Sequence, residues 1–253
     1  MAQPDHFIIL VQDIEKAVAD YTTLGFTVQS RADSSAHGAA YRFVVFADGC
    51  YLLLTQFTSE EARAKHRLGA DALEGEGFAD WSLTIADVDA ATRALSMADH
   101  PTRGPVEVSN VLQDGSPWGL KLLMSGKGAA GADTALPFLI EDTHGRAFRI
   151  PAYQPHANGL QRLSEIRLTS TDPAKTAETL ALSIGATRIA QNEPVTLASP
   201  DCPPIVILDA AEVTPAGRAR HGIYELVIET GHDSEGLLDL GLSHGARLIT
   251  RKG

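Results

Sequence analysis

A strand followed by a capped helix recurs four times along the chain at nearly constant spacing. Each copy begins with a segment of strand length and reaches, seven residues after its start, a side chain suited to begin a helix. The starts and caps of the four copies are His6 and Asp13, Asp80 and Asp87, Glu165 and Asp172, and Glu225 and His232. In three copies a helix-ending glycine follows the cap, at Gly25, Gly185 and Gly245. Four copies in register indicate an internally repeated fold.

Segments of strand composition follow each helix, with turn residues between them. In the first copy the runs 41–46 and 50–56 flank Ala47-Asp48-Gly49, which is a hairpin signal. The other strand segments are 106–112, 119–124 and 136–141 in the second copy, 187–191, 194–198 and 204–208 in the third, and 246–251 after a helix near 233–243 in the fourth. A charged helix over 58–69 and an irregular polar stretch over 143–162 complete the pattern.

The pattern predicts an α+β fold of repeated βαβββ modules. We expect two modules in residues 1–150, and a third module with a truncated fourth in residues 151–253.

Charge and cysteine usage exclude several classes of function. The net charge is -11, so the surface repels phosphate backbones and nucleic-acid binding is not expected. The two cysteines, Cys50 and Cys202, form no CxxC pair, which argues against a disulfide framework or a thiolate zinc site. The start of the chain has no signal-peptide pattern, and no apolar run reaches the ~20 residues of a membrane span. We expect a cytoplasmic protein without a membrane partner.

Several short motifs then carry a family resemblance. They are Asp5-His6, Asp13 with its helix, Leu24-Gly25-Phe26, Tyr51-Leu52-Leu53-Leu54, the stretches 74–81 and 136–141, and Pro155-His156-Ala157-Asn158-Gly159. Over residues 4–190 the sequence resembles the glyoxalase-like family of the vicinal-oxygen-chelate superfamily, which includes glyoxalases, bleomycin-resistance proteins and dioxygenases. The resemblance implies βαβββ modules that form curled mixed sheets around a cavity, where many members hold a divalent metal.

The resemblance also implies where the site residues lie. Metal ligands are expected on the first and last strands of the modules, which correspond here to His6, Asp80 and Glu141. Imidazole and carboxylate ligands suit Mn, Fe, Ni or Zn. Glu141 is also a candidate general base, and His156 is a candidate catalytic group that contacts the substrate from a loop. The remaining expected carboxylate falls at Leu53, which cannot coordinate a metal.

Each candidate also has a structural alternative. His6 can be packed in the cavity wall, Asp80 can bond a neighbouring strand end, and Glu141 can be a solvated strand end. Glu165 and Glu225 can take part in ordinary ion pairs.

Two functions are compatible with these residues. The first is a metal-dependent lyase, isomerase or dioxygenase that acts on a small oxygen-rich molecule. The second is a metal-free protein of the bleomycin-resistance type that binds or sequesters a small molecule. His6 favours the first and Leu53 favours the second. In either case the partner is a small molecule, and a homodimer is compatible with both.

Overall fold

Two seven-stranded mixed sheets and six helices make up the computed structural model, which describes residues 2–31, 38–188, 194–213, 221–233 and 235–253. The first sheet comprises β1 (Gln3–Leu10), β2 (Ala39–Val45), β3 (Tyr51–Phe57), β4 (Gly77–Thr84), β5 (Arg103–Val111), β6 (Pro117–Met124) and β7 (Phe138–His144). The second comprises β8 (Leu160–Ser170), β9 (Thr187–Arg188), β10 (Val195–Ser199), β11 (Cys202–Asp209), β12 (Gly222–Thr230), β13 (Gly236–Leu237) and β14 (Leu248–Lys252). The helices are α1 (Ile14–Thr23), α2 (Glu60–Lys65), α3 (Gly69–Leu73), α4 (Val88–Met97), α5 (Arg146–Arg149) and α6 (Pro173–Ile184).

Each sheet joins two modules through a central antiparallel pair of first strands. The first sheet has the order β2-β3-β1-β4-β7-β6-β5, with β1 antiparallel to β4. The second has the order β13-β14-β12-β8-β11-β10-β9, with β12 antiparallel to β8. The predicted α+β fold of repeated modules is therefore confirmed. The division of the chain near residue 150 stays a prediction.

Three helices begin at the predicted caps. The side chain of Asp13 accepts hydrogen bonds from the backbone amides of Glu15 and Lys16, and the carboxylates of Asp87 and Asp172 cap α4 and α6 in the same way. These acceptors satisfy amides that have no partner within the helix. Gly185 ends α6 with φ +66°, a conformation that favours glycine.

The fourth module differs from its prediction. Residue 233 and residues 235–243 form no helix, so the predicted helix near 233–243 is wrong for this described part of the chain. Instead, the carboxylate of Asp239 accepts hydrogen bonds from the amides of Gly241 and Leu242 and closes a local turn. Such side-chain bonds compete with a helix. The third-module strand predicted over 187–191 ends at Arg188 within the described residues, and 189–191 lie outside them.

The two faces of the first sheet belong to different clusters of apolar side chains. One face belongs to a core that both sheets share, in which Phe7 and Leu52 lie together with Ile166 and Leu226. The opposite face carries a second apolar cluster that includes Ile8 and Phe138. Successive side chains of a strand point to opposite faces, so β1 and β3 contribute alternate residues to each. The sheet curls around this second face and leaves a hollow there. Among the described residues, no helix is long and apolar enough to cross a membrane.

Candidate ligand cavity

The hollow of the first sheet is a cavity of about 520 Å³, a size suited to a small organic molecule. Six of the seven strands contribute to its lining, together with the segment that joins α2 to α3. Its walls are mostly apolar and aromatic and include Phe43, Tyr51, Leu53, Trp118, Phe138 and Ile140. The cavity therefore has the composition of a small-molecule site.

His6 is the central polar group of this wall. Nδ1 of its ring lies 2.6 Å from Oδ2 of Asp5 and 2.8 Å from Oγ of Ser82 on the adjacent strand. Tyr51 stacks on the ring at 4.9 Å between centroids, and Phe138 contacts it edge-on at 5.3 Å. These contacts fix the imidazole from three sides.

Asp5 lies behind His6 and is completely buried. Its carboxylate accepts hydrogen bonds from Nη1 and Nη2 of Arg149 at 3.0 and 2.8 Å, from Arg146 at 2.5 Å and from the hydroxyl of Thr84 at 3.0 Å. Burial alone would raise the pKa of Asp5, but the hydrogen bond with His6 and the charge of Arg149 hold that pKa well below its ordinary value. Asp5 is therefore a carboxylate at neutral pH.

Three arginines line the cavity. Arg149 donates to the hydroxyl of Tyr51 at 3.2 Å. The guanidinium of Arg31 lies over the ring of Phe43 at 5.3 Å and over the ring of Trp118 at 5.6 Å. Arg67 lies over the ring of Phe138 at 4.9 Å. Planar guanidinium groups stack well on aromatic rings, which explains why these charges sit in a largely apolar wall.

The sequence then identifies the protein family to which the chain belongs. Residues 5–183 match the model of a family described as a glyoxalase-like domain. The chain belongs to the glyoxalase-like family. This is a branch of the vicinal-oxygen-chelate superfamily, as the sequence motifs predicted. Among curated proteins, none matches the sequence.

Solved structures share the glyoxalase-like fold at low sequence identity. A hypothetical protein from Staphylococcus aureus aligns over 100% of both chains with a TM-score of 0.75 and 13% identity. A triple mutant of 4-hydroxymandelate synthase from Streptomyces coelicolor aligns over 91% of this chain and 72% of its own, with a TM-score of 0.56 and 13% identity. A fusion of a xylose isomerase-like TIM barrel with 4-hydroxyphenylpyruvate dioxygenase aligns over 93% of this chain and 39% of its own, with a TM-score of 0.56 and 12% identity. These similarities support the fold alone.

The predicted ligand residues of this glyoxalase-like chain do not come together. His6 lines the cavity. Asp80 is buried and paired with Arg67, while its Oδ1 accepts no hydrogen bond from any described residue. Burial raises the pKa of Asp80, and Arg67 opposes that rise. Glu141 lies away from the lining, where Oε2 accepts a hydrogen bond of 2.9 Å from the amide of Val88 at the start of α4. Its neighbour Ile140 faces the cavity instead, as the alternation of a strand requires.

His156 also lies outside the cavity lining. Its Nδ1 accepts a hydrogen bond of 3.0 Å from the amide of Thr27, and Phe26 and Phe46 contact the ring edge-on. Burial lowers the pKa of His156 and so favours the neutral ring. The contacts are those of a packed side chain, and the catalytic roles predicted for His156 and Glu141 stay predictions that no contact in the cavity supports.

The donor set around His6 does not fit a divalent metal. Leu53 and Ile140, from the last strands of the two modules, face the cavity where carboxylates would be needed. The described residues contain no group of three or more His, Cys, Asp or Glu side chains placed to hold a metal. Arg149 and Arg67 would in addition repel a cation. A structural metal site has four ligands and a catalytic one at least three, so His6 alone is insufficient.

Sequence reasoning missed most of the polar wall. Arg149 lies in a stretch that the sequence predicts to be irregular, and Arg31 and Arg67 belong to no motif. Asp5 enters the predicted motif only as the neighbour of His6. The alternation of Tyr51, Leu53 and Thr55 beside a buried first strand could have indicated that these three side chains share the face of His6.

Proposed function

We propose that this glyoxalase-like protein binds a small, largely apolar anion, such as an aromatic carboxylate, in the first-sheet cavity and does so without a metal. The observation that carries this function is the character of the lining. Its walls are apolar and aromatic, and the ionisable groups on it, within the described residues, are arginine, histidine and tyrosine but no carboxylate.

The charge of the lining contrasts with the charge of the whole chain. The chain carries a net charge of -11, yet the cavity presents Arg31, Arg67 and Arg149. The carboxylates of Asp5 and Asp80, which are buried and do not belong to the lining, hold two of these arginines in place. A low-dielectric hollow with fixed cations attracts anions, and guanidinium groups bind carboxylates with good geometry.

Trp118 offers a second argument for an oxygen-bearing ligand. Its indole Nε1 is buried beside the cavity and has no hydrogen-bond partner among the residues that the structure describes. Buried donors without a partner are rare in proteins, because each costs about 1–3 kcal/mol. An oxygen atom of a bound molecule would satisfy this donor.

The choice between the two functions considered from the sequence rests on the donor set. A metal-dependent lyase, isomerase or dioxygenase needs ligands that Leu53 and Ile140 cannot supply. Metal analysis of protein purified without chelators should accordingly find no stoichiometric Mn, Fe, Ni or Zn. One equivalent of such a metal, lost in His6→Ala, would contradict the proposal.

Binding is tested by calorimetric titration with benzoate and with benzamide, its uncharged counterpart. Benzoate should bind at least tenfold more tightly, a difference of about 1.4 kcal/mol. Arg31→Leu should remove that preference, whereas Arg162→Leu, which alters an exposed residue of the second sheet, should keep it. Equal affinity of the wild-type protein for both compounds would show that anion recognition is not a property of the cavity.

The cytoplasmic location and the homodimer stay predictions. Light scattering of the purified protein tests the latter directly.

A further inference from the structure

The hydrogen bonds around Asp5 determine which nitrogen of His6 carries the hydrogen. The carboxylate of Asp5 already accepts from Arg149, Arg146 and Thr84. An anion surrounded by donors has no hydrogen to give, so at the 2.6 Å contact Nδ1 of His6 is the donor and Asp5 the acceptor. The neutral imidazole therefore has its lone pair on Nε2.

Nε2 of His6 is available to a bound molecule. It makes no hydrogen bond to any described residue, it is not among the fully buried atoms, and its ring lines the cavity. Because Asp5 bonds one nitrogen and Tyr51 and Phe138 pack the ring, the imidazole cannot turn without losing these contacts. A hydrogen-bond acceptor is thus held in fixed orientation within an apolar hollow.

Tyr51 supplies a matching donor beside it. Its hydroxyl oxygen accepts the hydrogen bond from Arg149, and no described residue accepts the hydroxyl hydrogen. Burial raises the pKa of Tyr51, so the hydroxyl keeps this hydrogen at neutral pH. The two rings are stacked at 4.9 Å between centroids, so the ring that carries the acceptor and the ring that carries the donor lie side by side on one wall.

We propose that His6 is a metal-independent proton acceptor for an acidic hydroxyl, phenolic or enolic, on the molecule that the cavity binds. The inference rests on the proposed function. In the step, the O–H bond of the ligand breaks, its electron pair stays on oxygen, and the proton forms a bond to Nε2. The resulting imidazolium is stabilised by the carboxylate of Asp5, and the new oxyanion accepts a hydrogen bond from Tyr51. His6 is the catalytic residue here, and Asp5 is a positioning residue.

The test uses 4-nitrophenol, whose phenolate form has its own visible absorption band. Titration of the wild-type protein at a pH below the pKa of the free phenol should raise the ratio of phenolate to phenol in the bound probe at least tenfold, a shift of one pKa unit. His6→Gln should bind the probe as the neutral phenol. His144→Gln, an exposed histidine outside the cavity, should behave like the wild-type protein.

The outcomes separate the two proposals. Bound probe with the same phenolate ratio in wild-type and His6→Gln proteins overturns the proton transfer and leaves ligand binding intact. Failure of both the probe and benzoate to bind overturns the proposed function and the inference with it. Binding of benzoate without binding of the probe overturns the inference alone.

A direct measurement on the ring covers the case in which His6→Gln does not fold. The ¹⁵N spectrum of histidine-labelled wild-type protein should show one buried imidazole with hydrogen on Nδ1 and none on Nε2. In Asp5→Asn the same ring should change its tautomer, while the signals of His144 stay unchanged. A wild-type His6 with hydrogen on Nε2 would overturn the proposal.

Discussion

The two sheets of the molecule have the same arrangement of modules but differ in where their buried charges lie. In the first sheet, Asp5 and Asp80 are buried outside the lining and hold Arg149 and Arg67, which border an open cavity. In the second sheet, Glu165 and Glu225 occupy the first-strand positions and pair with Arg167, which lies between them on the face opposite the shared core. Arg247 adds a further pair with Glu225 at 3.2 Å.

The difference shows how one module pattern can serve either a site or a scaffold. In the second sheet, Glu165 and Glu225 lie on the same face as Arg167 and neutralise its charge. In the first sheet, the anions are buried outside the lining, so the arginines that they hold still face the hollow.

Asp5 should matter most for stability. Asp5→Asn leaves the buried guanidinium of Arg149 with Asp142 as its remaining carboxylate partner, and breaking such a pair should cost about 3 kcal/mol in the free energy of unfolding. Urea denaturation measures this cost. Arg162→Leu removes an exposed ion pair in the second sheet and should cost no more than about 1 kcal/mol. Equal costs would mean that the buried ion pairs of Asp5 stabilise the protein no more than an exposed ion pair does.

The same carboxylate should make stability depend on pH. Because folding lowers the pKa of Asp5, its contribution is complete above the ordinary value of 3.8 and is lost as the pH falls from there through the folded value. Asp5→Asn lacks this contribution, so its unfolding free energy should decline less steeply than that of the wild-type protein below pH 3.8. Parallel declines would show that Asp5 is not held as an anion.

Glu225 tests the scaffold side of the comparison. Glu225→Gln weakens charged hydrogen bonds with Arg167 and Arg247 and should cost about 2 kcal/mol in unfolding free energy. Benzoate affinity should stay at the wild-type value, because Glu225 and its two arginine partners lie in or next to the second sheet. A parallel loss of affinity would indicate that the second sheet shapes the cavity.

A substitution at Leu53 tests the cavity in the first sheet. Leu53→Asp adds an anion to a lining whose described residues include no carboxylate, and it should weaken benzoate binding at least tenfold, or about 1.4 kcal/mol, by calorimetry. Leu53→Asn is the matched control, because asparagine has nearly the shape of aspartate but no charge. This variant should lose less benzoate affinity. If both variants lose the same affinity, shape rather than charge governs binding.

The helix caps should show the smallest effect and the greatest similarity between the halves. Asp87→Ala in α4 and Asp172→Ala in α6 each remove one cap hydrogen bond and should each cost about 1 kcal/mol in thermal or urea unfolding. A large difference between the two variants would show that the modules are alike in pattern but not in energetics.

Local features were predictable from the residues. The capped starts of α1, α4 and α6 follow from Asp13, Asp87 and Asp172, and the burial of His6 follows from its place in an apolar strand. The helix predicted in the fourth module does not form, because the carboxylate of Asp239 closes a turn there instead. Glu141 was expected to close a strand near the cavity, but one position along a strand decides which face a side chain takes, and the start of α4 provides it with an amide.

The sequence by itself determined the repeated strand and helix modules, because caps, glycines and apolar spacing act over a few neighbouring residues. Only the tertiary structure decided the site. It brought Arg149, 144 positions from Asp5 along the chain, against that carboxylate. It also paired Asp80 with Arg67 and left Leu53 facing the hollow. Which charge meets which depends on how the sheets curl and pair, and contacts between distant residues leave no local pattern in a single sequence.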